Sequence, residues 1–276
     1  MSKNNKQTDI GVMNFANTTI VGKDFSGKNL SGAVFNGCTL RNVMFDQAVL
    51  NEAYFENATL ESCRFGRTNL EGASFNGAKI IDSNFSGSIL RDSSFLSVEM
   101  DESFMDGVGL AGSVWRNSLV NNCSFVEAAM PRASFAAATG SKNVFCLANM
   151  KDVIFSNAKM SYSDFSGARM VGAKMSRASL RHGFMRNTIL TDSDLSFADI
   201  SGSVLEGANL SRALLNGANL CNVKLAKTNF SFANLVGASL VGSSLANTNT
   251  KGANLNNILF SALRGGVEES LPSITM

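Results

Sequence analysis

The chain has one histidine, His182, and five cysteines, Cys38, Cys63, Cys123, Cys146 and Cys221, in 276 residues. Zinc sites and thiol or serine nucleophiles draw on histidine and cysteine at short fixed spacings, and His182 has no cysteine near it in sequence. No phosphate-binding loop, dinucleotide fingerprint or nucleophile motif is present. The adjacent acids Asp101 and Glu102 are the type of pair that does general acid–base work, but they occupy outward phases of the repeat described below and read as a solvated face. Glycine recurs at one fixed phase, which suits chain corners and not a phosphate cradle. The expectation is no enzymatic activity, no cofactor and no metal.

What must position any functional group here is a period of five. Residues 207–220 read GANLSRALLNGANL, with Leu210, Leu215 and Leu220 as centres and Ala208, Ala213 and Ala218 two places before them. Five matches neither the 3.6 of a helix nor the 2 of a strand, and internal repeats have to be sought first. Every centre falls on a multiple of five from Phe15 to Phe260. Of these 50 positions 48 are apolar, Gly140 and Thr250 being the exceptions. From Ala33 to Ala253 the residue two before the centre is small in 44 of 45 cases, with Asn143 the exception. Of the 24 glycines, 17 lie two places after a centre, where a turn favours Gly, Asn, Asp or Ser.

This pattern resembles the pentapeptide-repeat family, whose motif is roughly A(D/N)LxG with Leu or Phe at the centre, over about nine-tenths of the chain. The resemblance implies an all-β fold, a right-handed quadrilateral β-helix in which four successive pentapeptides form the four sides of one square coil. Residues 15–260 then make about 12 coils, a rod about 60 Å long at the usual inter-strand spacing. Residues 1–14 read as a polar leader and 261–276 as a C-terminal cap and tail. Lys23 and Lys28 occupy small inward positions, so the first coil is expected to be an irregular cap, with regular coils from Leu30. Leu255, Ile258, Leu259 and Leu263, followed by Gly265 and Gly266, suit a short capping helix.

Folding the sequence at every fourth centre stacks Phe35, Phe55, Phe75, Phe95, Trp115, Phe135 and Phe155 in one column and Phe45, Phe65, Phe85, Phe125, Phe145 and Phe165 in the opposite one. Inward aromatic stacks fill such a tube at crystal-like density, which is preferred to a ligand channel. The stretch Pro131 to Asn143, which holds Gly140 and Asn143, marks an expected bend or bulge in preference to a functional site. Cys38, Cys63 and Cys123 take the small inward place, and Cys63 and Cys123 lie three coils apart, too far to bridge. A reducing compartment is expected. No secretory signal is seen. No apolar run approaches the length of about 18 residues that a spanning helix needs, so no membrane span is expected.

Function is left to the surface. Net charge is +2, but residues 46–106 carry 11 acids and 4 bases, and residues 142–190 carry 8 bases and 2 acids, on all four sides. Apolar residues just before the centre (Phe104, Phe184, Ile189, Val204 and Leu214), with Arg177, Arg181 and Arg186 near them, are the candidate protein contacts. The resemblance implies a protein-interaction rod, as in bacterial secreted effectors or scaffolds, located in the bacterial cytoplasm or translocated into a host cell. Its alternative is a DNA-mimicking, gyrase-binding protein that gives quinolone protection. That reading needs acid along the whole rod, and here acid gives way to base. The partner is expected to be another protein, with no direct nucleic-acid contact. A homodimer through the C-terminal end is compatible with the sequence.

Overall fold

A computed structural model describes residues 13–260. Its chain winds as a four-sided tube, and one side carries an eight-stranded parallel sheet in sequence order. The strands are β1 (Thr19–Val21), β2 (Thr39–Arg41), β3 (Thr59–Glu61), β4 (Lys79–Ile81), β5 (Glu99–Asp101), β6 (Leu119–Asn121), β7 (Thr139–Ser141) and β8 (Lys159–Ser161). Each pairs with the next at a constant register, as in Leu40 opposite Leu60. The other three sides are held by isolated parallel bridges with the same step, such as Phe184 to Val204 and Asp194 to Leu214.

The corner explains why five residues make a side. All 49 residues two places after a centre, from Asn17 to Asn257, have φ between 48° and 74°. A type II turn demands this left-handed value at its third residue. In most corners the centre carbonyl accepts the N–H three residues on, as Phe75 does from Ala78 at 2.9 Å. Non-glycine residues fill 32 of these corners, each at a cost on the order of 1 kcal/mol. Asn and Asp, which tolerate this region best, are common among them. The remaining backbone groups bond between coils, as in Tyr54 N–H to the Ala33 carbonyl at 2.9 Å.

The corner that follows the β1–β8 side is built differently. There the N–H two places before the next centre is taken by a side chain of the following coil. Cys63 N–H donates to Ser83 Oγ and Ser83 N–H to Ser103 Oγ, both at 3.1 Å. At Leu180, Ile200 and Leu240 this corner also closes by a turn bond, as Gly183 N–H does to the Leu180 carbonyl at 3.1 Å. The three-residue strands stop before Leu180. The seven strand-to-strand turns are thus fewer than the 12 uniform coils expected, and single bridges carry the ladder on through Ser239 to Leu259.

The interior is tightly buried and columnar. Phe75 lies parallel to Phe55 and Phe95, centroids 4.8 Å away in each case, and edge-on to Phe85 at 5.8 Å. Trp115 continues the stack 3.8 Å from Phe95, and its indole N–H donates to the inward Ser113 Oγ at 3.0 Å. A hydroxyl at the small position therefore answers the one buried ring that carries a donor.

Three expectations are corrected. The first coil is regular: Asn14, Asp24 and Asn29 already make bridges, and Lys23 and Lys28 are exposed, because the terminal coil leaves those stems room to reach water. Leu255, Ile258 and Leu259 continue the coil, with Asn254 and Leu259 in bridges, so they do not start a helix. Their phase is unbroken and each bridge finds a partner. The rest of the expected cap, Leu263 with Gly265 and Gly266, lies outside the described residues.

The third correction concerns Gly140 and Asn143. Register runs through β7 without an inserted residue, Val120 opposite Gly140 and Gly140 opposite Met160. A Cβ on Gly140 would collide with the Val120 carbonyl. Asn143 Nδ2 donates to that carbonyl at 2.8 Å, and its Oδ1 accepts Cys123 N–H at 3.0 Å. Asn143 thus belongs to the same polar column as Ser83, Ser103 and Ser163, and its larger amide serves the site where the centre side chain is missing.

Two stability outcomes follow. Phe75→Ala is expected to cost about 3–5 kcal/mol and to lower the thermal unfolding midpoint by several degrees; an unchanged midpoint would contradict the stack. Asn143→Ala strands the buried Cys123 N–H, at a cost of about 1–3 kcal/mol. A calorimetric scan showing Asn143→Ala at wild-type stability would remove the column from the account.

Candidate functional site

The side carrying β1–β8 is a flat platform. Each strand turns its middle residue inward and its first and third outward, so the face shows two outward columns, bordered by the corner residues on either edge. Beyond β8 the first column continues through Ser179 and Asp199.

Charge on this face is segregated along the rod. From Glu61 to Glu102 it presents five carboxylates (Glu61, Asp82, Glu99, Asp101 and Glu102) against Lys79, a net of −4. From Lys142 to Arg181 it presents Lys142, Lys159, Arg177 and Arg181 with no acid, a net of +4. Between these lie Leu119, Asn121, Asn122, Thr139 and Ser141, all uncharged, and Leu119 is 41% exposed. Several groups are held in place. Arg41 Nε meets Glu61 Oε2 at 2.8 Å, and Arg181 Nε meets Asp199 Oδ2 at 3.6 Å. Asn122 Nδ2 donates to Asp101 Oδ1 at 2.8 Å, and Ser62 Oγ to Asp82 Oδ2 at 2.8 Å.

Aromatic side chains border the basic half. On one edge Tyr162 stacks on His182, centroids 5.0 Å apart and planes 15° from parallel. On the other, the Arg177 guanidinium lies 5.8 Å from the centre of the Phe197 ring, within cation–π range. Tyr162 and Phe197 are each more than half exposed. Phe197 lies flat because the corner one coil on is Gly217. A Cβ there would come within 2.6 Å of the ring, so only glycine leaves that ledge free. His182 is seated over Gly202 in the same way.

The residues singled out from sequence divide among the sides. Phe104, Phe184 and Val204 share the side next to the sheet face, with Phe104 four coils from Phe184. Ile189 lies half-buried around the following corner, and Leu214 is exposed on the side opposite Phe184, so these residues do not form one patch. Val204 is corrected from an exposed anchor. It points outward but is 8% exposed, set between its ladder neighbours Phe184 and Lys224. Arg186 is engaged as well, 3.1 Å from Glu206 Oε2 and 5.9 Å from the Phe184 ring centre. Arg177 and Arg181 belong to the sheet face. Tyr162 and Phe197 were missed because the sequence reading sought outward apolar residues only before the centre; the same folding applied to the corner phase finds them.

The thiols offer little chemistry. All five cysteines are free. Burial pushes the Cys63 thiol up to about 11 and Cys123 up to about 12, and burial with Asp164 alongside pushes Cys146 up to about 11. Among the described residues no three His, Cys, Asp or Glu side chains gather as a metal site, and no helix is long and apolar enough to cross a membrane.

Residues 6–75 match the family model described as a pentapeptide repeat region, and residues 145–177, 168–207 and 203–242 match the one described as pentapeptide repeats (8 copies). Among solved structures the chain is similar to HetL, a pentapeptide repeat protein involved in heterocyst differentiation regulation from the cyanobacterium Nostoc. Identity is 18%, 90% of each chain is covered, and the TM-score is 0.25. A pentapeptide repeat protein from the Arabidopsis thaliana thylakoid lumen is 26% identical over 37% of this chain and 65% of that one, with a TM-score of 0.29. QnrB1, a plasmid-mediated fluoroquinolone resistance protein, is 15% identical over 89% and 92%, with a TM-score of 0.20. No curated protein sequence matches the chain.

A thiol whose folded pKa is raised stabilises the fold below its unfolded value, about 8.5, and loses that contribution as pH climbs toward the folded value. Cys63 and Cys123 are therefore expected to resist a chromogenic disulfide reagent at pH 8 until the chain is unfolded, and stability is expected to fall above pH 9. Rapid labelling of Cys63 in the folded protein would contradict this.

Proposed function

The chain belongs to the pentapeptide-repeat family, and on that premise we propose that it is a non-enzymatic protein-interaction rod whose contact surface is the β1–β8 face. The observation that carries this reading is the segregated charge of that face, acidic then neutral then basic, with exposed aromatic side chains on both edges of its basic half. Aromatic residues and arginine are the side chains that concentrate binding energy at protein interfaces, and complementary charge sets register and speeds encounter. A rigid platform holds these groups without an ordering cost at binding. Imitation of DNA asks for carboxylates along the full length, and this face reverses sign at its middle.

The test compares two faces. A polypeptide retained by the wild-type rod, a second copy included, is expected to be lost with the pair Tyr162→Ser and Phe197→Ser. It is expected to be kept with Ile89→Ser, on the side opposite the sheet. Equal retention by both variants would overturn the proposed surface.

A further inference from the structure

The two halves of the sheet face carry opposite net charge on either side of Asn121, and we infer that its partner is a second copy of this chain, packed antiparallel and face to face. This rests on the sheet face being the contact surface. In such a pair the two-fold axis lies in the contact plane, crosses both rods at right angles, and passes at the level of Asn121. Each edge of the face then meets the same edge of the other copy, and residues equally far before and after Asn121 come opposite one another.

The sequence of charges fits that operation. Before Asn121 stand Arg41, Glu61, Asp82 and Glu102, at sequence offsets of −80, −60, −39 and −19. After it stand Lys142, Lys159, Arg181 and Asp199, at offsets of +21, +38, +60 and +78. Column for column, Glu102 thus meets Lys142 and Glu61 meets Arg181, while Asp82 comes opposite Tyr162 and Arg41 opposite Ser201, every pair level to within a tenth of a coil. Glu61 and Arg181 each already hold a partner within their own copy, Arg41 and Asp199. Lys79, at offset −42, shares its column with Lys159, at +38, and makes the one like-charge contact, against two complementary contacts and facing halves of net −4 and +4. Leu119, 41% exposed in the uncharged middle, meets its own counterpart across the axis.

A parallel pair of the same faces would set acid on acid and base on base. Among the described residues Asp82, Glu102, Lys142 and Lys159 take part in no ion pair within the chain. Their charges are therefore available to a complementary surface, and the two halves of this face carry opposite net charge. The contact is isologous, as closed two-fold pairs require, so it ends at two copies and does not propagate into a fibre.

Sedimentation of the full chain tests this with two charge-reversed variants, one with Glu61→Lys and Glu102→Lys, the other with Lys142→Glu and Arg181→Glu. Wild type is expected to dimerise, and to dissociate at least tenfold more readily as ionic strength rises from about 0.05 M to about 0.5 M. Each variant alone is expected to be monomeric, since like charges meet at both ends. An equimolar mixture of the two is expected to dimerise again, because each reversed patch now meets the reversed patch of the other; that recovery also shows that both variants fold. A monomeric wild type at about 100 µM, where even a weak micromolar pair would form, overturns the inference. So does a dimer that both variants retain, as one formed through the C-terminal end would be. In either case the face comparison above still decides the interaction reading on its own.

Discussion

Everything in this molecule depends on a left-handed residue every five positions. It closes the turn that bends the chain through a corner, and it makes the side short enough that one large and one small side chain point inward. It also fixes the coil at four equal sides, so that each side chain sits beside its own phase in the coils before and after. The conformation is unfavourable for most residues, yet 32 non-glycine residues hold it. What outweighs the cost is cooperative: each coil supplies backbone partners to the next and stacks its core on it, as in other one-dimensional repeat architectures.

The interior answers that geometry with columns. Aromatic rings stack on rings one coil away and meet the opposite column edge-on, the two arrangements that aromatic quadrupoles favour. Where the backbone leaves an N–H without a turn partner, a small polar side chain of the next coil accepts it, as Ser103 and Ser163 do. Asn143 is the strongest case, making up for a bare Gly140 while serving the same column. Stacking by phase also governs the surface. The ledge that holds Phe197 exists because the residue at the same corner of the next coil is Gly217.

The period, the inward phases and both aromatic columns were legible in the sequence because they depend on residue size alone, which one chain displays. The polar column was not. Ser83 and Ser103 passed as small residues, and Asn143 looked like an error until Cys123 N–H was seen to need an acceptor. The exposure of Val204 was misjudged because phase gives direction but not the reach of its neighbours Phe184 and Lys224. The sheet face was hidden for a further reason. Charges were counted along the chain, where bases fall on every side, and only sorting them by phase brings Lys142, Lys159, Arg177 and Arg181 onto one surface.

The sheet face of this rod carries its acids and its bases in separate halves. That opposition on either side of Asn121 joins the repeat to the association inferred for it. The most direct measurement is zero-length carboxyl–amine cross-linking of a mixture of isotopically light and heavy chains. The account predicts mixed-isotope links from Lys142 to Glu102 or Asp101. Links confined to chains of one isotope, or mixed links found only beyond residue 240, would contradict it.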